Sequence, residues 1–198
     1  IEDVRKTGVL LEDAVPLAPG EYTFSLLVKN TVSKEFTSLE RKLVVPGPAP
    51  RGCAISPLLL GYQAKQAPAG PRQVKPFRAG DILLSCQPGR TFASEESLAV
   101  FFQVYGMPAD VRRTGRVEYV FERQGREALR NEVPIAELPP MDIVREFPLR
   151  ALAPDYYKVR VAIIDGQGRA VVSAEADFVV SARSQIPRPW VVAKVMPP

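Results

Sequence analysis

Two segments of the sequence share one pattern, and this repeat constrains the fold more than any other feature. Residues 17–45 read LAPGEYTFSLLVKNTVSKEFTSLERKLVV, and residues 152–180 read LAPDYYKVRVAIIDGQGRAVVSAEADFVV. The two segments align without a gap, so that Tyr22 matches Tyr157. We interpret them as equivalent units in two copies of one domain, because unrelated all-β domains would share such a pattern only by chance.

Within each segment, apolar side chains recur at every second residue. The positions of the first copy align with those of the second as follows: Phe24, Leu26 and Val28 with Val159, Val161 and Ile163. Such alternation is typical of a strand with one buried face. A polar turn follows at Asn30 in the first copy and at Asp165 in the second, where Asp and Gly tolerate a positive φ. Each copy is therefore predicted to be a strand, a hairpin turn and a closing strand.

The composition favours many short strands. The chain of 198 residues is 46% hydrophobic and 24% charged, values typical of a globular protein. Its 20 prolines fall mostly between apolar runs, which disfavours long helices. No period of 3.6 residues indicates a helix, and no apolar run approaches the ~18 residues of a membrane span. About seven or eight strands at short spacing in the second copy predict an immunoglobulin- or fibronectin-type sandwich.

The predicted fold class is therefore all-β, with tandem immunoglobulin- or fibronectin-type β-sandwich modules of which the first is partial. Three strands are expected near the start, at residues 7–15, 21–29 and 36–45, and they form a thin sheet with no second layer. Many strands precede the repeated segment in its second copy, whereas few residues precede it in the first. We therefore expect residue 1 to lie inside a domain whose first half is missing.

This organisation divides the chain into four parts. Residues 1–47 are expected to be the C-terminal half of a truncated β-sandwich domain, and the proline-rich residues 48–51 a stiff linker. Residues 52–182 would form a complete β-sandwich domain, and residues 183–198 an extended tail. Within the second domain, residues 97–105 are the strongest strand, and apolar side chains on both of its faces predict a central position in a sheet.

The charge distribution does not indicate a nucleic-acid partner. The formal net charge is +4, and much of the excess lies in the tail at Arg183, Arg188 and Lys194. These basic residues are scattered and are not interleaved with exposed aromatic residues, as a nucleic-acid surface would require. We therefore expect a solvated surface with a basic tail.

Catalytic and metal-binding motifs are missing from the sequence. The chain has no histidine, which removes Ser-His-Asp and Cys-His catalysis and every His-ligated metal site. Glu95 and Glu96 are adjacent, so in a strand they would point to opposite faces, and we interpret them as part of a solvated loop. The turn at Asp165 lacks the further acidic residues of a calcium loop. We therefore predict no enzymatic activity, no metal and no cofactor.

Two cysteines, Cys53 and Cys86, are too few for a disulfide scaffold and lack metal-ligand spacing. Both adjoin predicted strands. Either they form a disulfide across the sandwich in an exported protein, or they are two buried thiols.

The tail contains the only tryptophan of the chain. Two prolines, Pro187 and Pro189, favour an extended approach to it. The following strand-forming stretch has no partner among the predicted strands and includes these residues: Trp190, Val191, Val192, Lys194 and Val195. It either packs on its own domain, adds as a strand to a neighbouring chain or domain, or is a frayed end. We retain this stretch as a candidate site for strand addition, through which homo- or hetero-oligomers would form.

The order of these elements resembles the C-terminal regions of exported bacterial proteins related to von Willebrand factor A and of GWxTD-domain proteins. The matching motifs are PLAPGEY at residues 16–22, VP at 45–46, ISPLLL at 55–60, Phe92, and LAVFFQVY at 98–105. The A-domain and the GWxTD motif themselves are absent, and the Asp-x-Ser-x-Ser pattern of a metal-dependent adhesion site has no counterpart. The resemblance implies an exported, non-catalytic, immunoglobulin-like region.

We therefore expect a non-catalytic structural or protein-binding β-sandwich region of a larger exported bacterial protein. It would be periplasmic or extracellular, although no export signal is visible in these residues. Its partner would be another protein or its own missing N-terminal domain, with no nucleic acid and no membrane span. The alternative is a carbohydrate-binding module, which needs exposed aromatic platforms, and the candidates Trp190, Tyr62 and Tyr105 are dispersed along the sequence.

Overall fold

The computed structural model of the chain describes residues 7–13, 15–45, 47, 52–67, 77–79, 81–183, 186–188 and 190–193. The chain divides into two compact units, residues 15–50 and residues 1–14 together with 51–198. The described strands are, in chain order, β1 (Val9–Glu12), β2 (Gly20–Lys29), β3 (Phe36–Val45), β4 (Ala54–Ile55), β5 (Leu59–Gln66), β6 (Arg78–Ala79), β7 (Ile82–Cys86), β8 (Thr91–Ala93), β9 (Ser97–Tyr105), β10 (Arg116–Arg123), β11 (Arg126–Pro134), β12 (Asp142–Pro148), β13 (Asp155–Ile164), β14 (Ala170–Ser181) and β15 (Trp190–Ala193). The predicted all-β fold class is confirmed.

The sequence has no 3.6-residue apolar period, but the described residues include short helical elements. A short helix, α1 (Ala109–Thr114), follows Pro108, whose fixed φ of −61° suits the start of a helix. The helix has 6 residues and buries only Val111. An element of fewer than two turns cannot display a 3.6-residue apolar period, so the sequence pattern gave no sign of it.

The unit of residues 15–50 contains an antiparallel hairpin of β2 and β3. Its turn begins at Asn30, whose side-chain oxygen accepts hydrogen bonds from the backbone N–H groups of Val32 and Ser33, at 2.9 and 3.2 Å. This arrangement is an Asx turn, which explains why Asn stands here. An isolated two-stranded hairpin is marginally stable in water, so the stability of this hairpin depends on what packs against its two faces.

The other unit contains a β-sandwich of two sheets and, in addition, the two-stranded sheet of β1 and β15. One sheet has the strand order β11-β10-β13-β14-β8, and the other has the order β12-β9-β5-β7-β6, with β4 also paired to β9. Strand β9 lies between β12 and β5, as its two apolar faces predicted. Its alternate residues Leu98, Val100 and Phe102 are fully buried in the main core, whereas Phe101 belongs to a separate cluster on the opposite face.

The main core of the sandwich is rich in aromatic side chains. The rings of Phe121 and Phe147 lie 4.9 Å apart at 67°, and those of Tyr157 and Phe178 are stacked at 5.6 Å. Fully burying a side chain of this size stabilises a fold by about 1.5–3 kcal/mol, and aromatic pairs add about 0.5–1.5 kcal/mol. The alternating residues of β10, β13 and β14 therefore hold the two sheets together.

Strand β1 lies in a different place from the one expected. The sequence predicts that residues 7–15 belong to the first module, together with β2 and β3. In the structure, β1 instead pairs in parallel with β15, from Val9 opposite Trp190 to Glu12 opposite Ala193. Its compact unit is that of the sandwich, whereas β2 and β3 belong to residues 15–50.

Candidate functional site

The two repeated segments have the same backbone pairing. In the hairpin, the register runs from Gly20 opposite Val45 to Val28 opposite Thr37. The aligned pairs of the sandwich run from Asp155 opposite Val180 to Ile163 opposite Val172 without a shift. The prediction that both segments are equivalent strand–hairpin–strand units is confirmed for this pairing. That residues 15–50 are part of a second sandwich stays a prediction.

The matched tyrosines make the same hydrogen bond. The hydroxyl of Tyr22 donates to the carbonyl oxygen of Ala18 at 2.7 Å, and that of Tyr157 donates to the carbonyl oxygen of Ala153 at 2.8 Å. Each bond reaches back four residues to the loop before the strand. A tyrosine that ties a strand to its preceding loop in this way is a feature of immunoglobulin-like sandwiches.

The repeated segments differ in whether their apolar face is covered. Val159, Val161 and Ile163 are all 0% exposed in the core of the sandwich. Their counterparts in the hairpin remain open to solvent: Phe24 is 46%, Leu26 39% and Val28 48% exposed. The register places Leu39 and Leu43 on the same side, opposite Leu26 and Tyr22. We call this set the hairpin face: Tyr22, Phe24, Leu26, Val28, Thr37, Leu39, Arg41 and Leu43.

One charged residue lies within this apolar surface. Arg41 stands opposite Phe24 and between Leu39 and Leu43 on its own strand. Its counterpart in the sandwich is Ala176, which is buried. The other side of β2 is mostly polar and carries Glu21, Thr23, Ser25, Leu27 and Lys29. The hairpin is therefore amphipathic, with a single guanidinium group inside its apolar face.

The tail is held at Arg188, which the sequence indicates only as part of a basic tail. The guanidinium of Arg188 donates to both carboxylate oxygens of Glu96, at 2.5 and 2.6 Å, and lies 4.3 Å from the centre of the Tyr62 ring. Glu96 also accepts the backbone N–H of Ala93 at 2.7 Å. Glu95 and Glu96 lie in a loop, as predicted; Glu95 is exposed, whereas Glu96 is half-buried and ion-paired instead of fully solvated. No local signal could have paired residues 92 positions apart.

The candidate tail residues are only partly described. The backbone of Trp190, Val191 and Val192 is extended and pairs with β1 of the same chain. Lys194 and Val195 lie outside the described residues. Addition of this segment to a neighbouring chain stays a prediction.

Both cysteines are free in the structure. Cys53 packs against the main core, whereas Cys86 packs against the cluster of Leu84, Ala99 and Phe101. Burial and the nearby carboxylate of Glu12 raise the pKa of Cys86 to about 12, and burial also raises the pKa of Cys53. A thiol with a raised pKa is a poor nucleophile near neutral pH, because the reactive form is the thiolate.

The shifted carboxyl groups have structural partners. Backbone N–H groups of Arg169 and Gln167 and the Arg169 side chain lower the pKa of Asp165 in its hairpin turn. The backbone of Tyr156 and the side chain of Arg123 lower the pKa of Asp155 in the same way. Among the residues that the structure describes, no group of three or more acidic, cysteine or histidine side chains is placed to hold a metal ion. No described helix is long and apolar enough to cross a membrane.

The three aromatic residues considered for carbohydrate binding do not form one platform as far as they are described. Tyr62 is covered by Arg188, and Tyr105 donates a hydrogen bond to Gln103. A different aromatic residue, Tyr156, is 76% exposed and lines an open cavity of about 590 Å³. The cavity wall also includes Gln124, Lys158 and Asp177.

Comparison with known proteins adds no family assignment. No protein-family model matches the sequence. A search of curated proteins found no match either.

Proposed function

We propose that this chain is a non-catalytic protein-binding β-sandwich region and that the hairpin face is its docking surface. The observation that carries the proposal is the contrast between two segments with one register. The face that is sealed in the sandwich is open in the hairpin, at Phe24, Leu26 and Val28. The resemblance to exported bacterial proteins supports a location outside the cytoplasm, in the periplasm or beyond the cell.

The energetics of covering this face support binding. Complete burial of one such side chain is favourable by about 1.5–3 kcal/mol, and each of these three side chains is still about half exposed. Covering them together would then contribute roughly 3 kcal/mol, with further gains from Leu39 and Leu43. Apolar patches of this kind on a soluble surface mark interaction sites more often than single exposed side chains do.

Photo-cross-linking in the producing cells tests the proposal, and the chain offers a matched control. Leu26 and Leu27 are adjacent leucines on opposite sides of β2. A photoreactive phenylalanine analogue at position 26 should give a discrete adduct with another protein, whereas the same group at position 27 should not. Equal adducts at both positions, or none at position 26, would refute the proposal.

The cavity beside Tyr156 favours carbohydrate binding as a second candidate function. An exposed aromatic ring can stack on a sugar, and the polar groups of Gln124, Lys158 and Asp177 can hydrogen-bond its hydroxyl groups. A glycan array tests this candidate directly. Binding that Tyr156→Ala abolishes and Tyr105→Ala preserves would support it, and an array without signal would exclude it for the sugars displayed.

A further inference from the structure

Among the described strands, β3 is the one that pairs with β2, whereas the counterpart of β2 in the sandwich has a neighbour on each edge. Strand β13 pairs with β14 on one side and with β10 on the other. Strand β2 pairs with β3 in the register that β13 has with β14, but no described strand pairs with its other edge. In the part of the chain that the structure describes, β2 therefore has one of the two neighbours that its counterpart has in the sandwich.

The direction of the peptide groups on this edge follows from the turn. The N–H of Asn30 donates to the carbonyl oxygen of Glu35 at 2.8 Å, across the hairpin. Because alternate peptide groups of a strand point to opposite edges, the N–H groups of Thr23, Ser25 and Leu27 point away from β3. These N–H groups have no partner strand among the described residues, and such a row of donors can pair with the carbonyl groups of another strand.

The sandwich shows which kind of strand can pair with this edge of the repeated strand. On the matching edge of β13, β10 is antiparallel and places Phe121, Tyr119 and Val117 opposite Val159, Val161 and Ile163. Those three residues of β13 align with Phe24, Leu26 and Val28. A strand added to β2 in the same register would thus place apolar side chains beside the exposed ones.

The charge of the hairpin face further limits the occupant. Arg41 is exposed within the apolar face, and no salt bridge joins it to a described residue. Covering a guanidinium group without a counter-charge is unfavourable because it loses its hydration. An occupant that spreads over this face therefore brings an acidic side chain to Arg41. Apolar residues around an arginine are also typical of surfaces between separate proteins.

We propose that the free edge of β2 accepts an antiparallel strand from a partner protein. That strand has apolar residues at alternate positions, facing the side of Phe24, Leu26 and Val28, and its protein supplies an acidic residue for Arg41. The mode is strand addition, in which backbone hydrogen bonds give affinity and alternate side chains give specificity. This inference rests on the proposed docking function and names the geometry of the partner.

A peptide with the sequence of residues 115–124, GRVEYVFERQ, is a suitable probe because it contains β10. Binding of the fluorescently labelled peptide to the whole chain is measured by anisotropy. The Ser25→Pro variant removes one outward N–H from the β2 edge, and the matched Ser38→Pro variant removes one from the outer edge of β3. We expect saturable binding to the wild type and to Ser38→Pro, and binding to Ser25→Pro that is at least about tenfold weaker.

A second measurement does not depend on the folding of a variant. The N–H of Ile135 donates to the carbonyl oxygen of Gly115 at 3.1 Å, so by alternation along β10 the N–H of Tyr119 points toward β11 and that of Val120 points toward β13. A peptide N-methylated at the Val120 position should lose binding about tenfold, whereas one N-methylated at the Tyr119 position should retain it.

Three results would overturn the inference. The first is a peptide that does not bind the wild-type chain, and the second is equal binding to wild type and Ser25→Pro with insensitivity to both methylations. The third is sedimentation of the chain alone as a dimer that Ser25→Pro dissociates, which would assign the edge to a second copy. The docking function and the strand addition can fail separately. If position 26 gives an intermolecular cross-link but the peptide shows either of the first two results, the docking function is supported and only the strand addition is refuted.

Discussion

The difference between the two repeated segments can be measured with one matched pair of substitutions. Val161 is 0% exposed in the sandwich, and Leu26 is its counterpart in the hairpin, 39% exposed. We consider Val161→Ala and Leu26→Ala, two truncations at the same register position. If both faces were covered in solution, the larger truncation at Leu26 would be the more destabilising of the two.

The expected magnitudes differ clearly. Val161→Ala removes two carbon atoms from a sealed core, which costs about 1.6 kcal/mol in transfer free energy, and the cavity raises the total to about 2–3 kcal/mol. For a domain of this size, we expect the melting temperature to fall by about 5–10 °C. Leu26→Ala removes three carbon atoms from an open face in a separate compact unit. It should change the main unfolding free energy by less than about 0.5 kcal/mol.

Urea and thermal unfolding followed by far-UV circular dichroism measure both values on the full chain. An equal or larger loss of stability in Leu26→Ala than in Val161→Ala would mean that the hairpin face is covered in the isolated chain. That result would remove the basis of the docking proposal, because a covered face has no surface to offer a partner.

Three further perturbations have defined outcomes. Tyr157→Phe should lower the unfolding free energy by about 1 kcal/mol, because it removes a buried hydrogen bond, while Tyr22→Phe should leave the sandwich transition unchanged in the same urea assay. Arg188→Ala should speed hydrogen exchange of the β15 and β1 amides at least about tenfold, and Arg183→Ala, at an exposed position, should not. The pKa of Cys86 is raised in the folded state, so its contribution to stability is complete below the unfolded value of 9.0 and is lost as pH rises toward about 12. The unfolding free energy should therefore decline above about pH 9, and Cys86→Ala should reduce this decline in urea titrations.

The sequence could predict those parts of the fold that depend on local patterns of residues. Alternation in β13 and β2 identifies strands and the side that is apolar, and a gapless repeat transfers the register from one hairpin to the other. The Asx turn at Asn30 and the turn at Asp165 follow from single residues with a strong local preference. Such features need no knowledge of distant residues.

Pairings between distant residues could not be predicted in this way. Nothing in the sequence of β1 indicates β15 as its neighbour, since any short apolar strand can pair with many others. The contact of Arg188 with Glu96 and Tyr62 could not be predicted for the same reason, because each of these side chains can bind many partners. Whether other residues cover the hairpin face also depends on residues that are distant in the sequence. The sequence could therefore predict which face is apolar, but not how exposed that face is.

The residues that differ between the two faces argue for a surface that is covered only on binding. Where the sandwich has Ala176 and Val172, the hairpin has Arg41 and Thr37. A permanently dry core disfavours an unpaired guanidinium, because the loss of hydration costs several kcal/mol. A permanently hydrated surface, in turn, gives no reason to retain Phe24, Leu26 and Val28 at every second position. A face that alternates between water and a partner would accommodate both groups of residues. In the proposed complex, Arg41 would exchange its hydration for an acidic side chain of the partner.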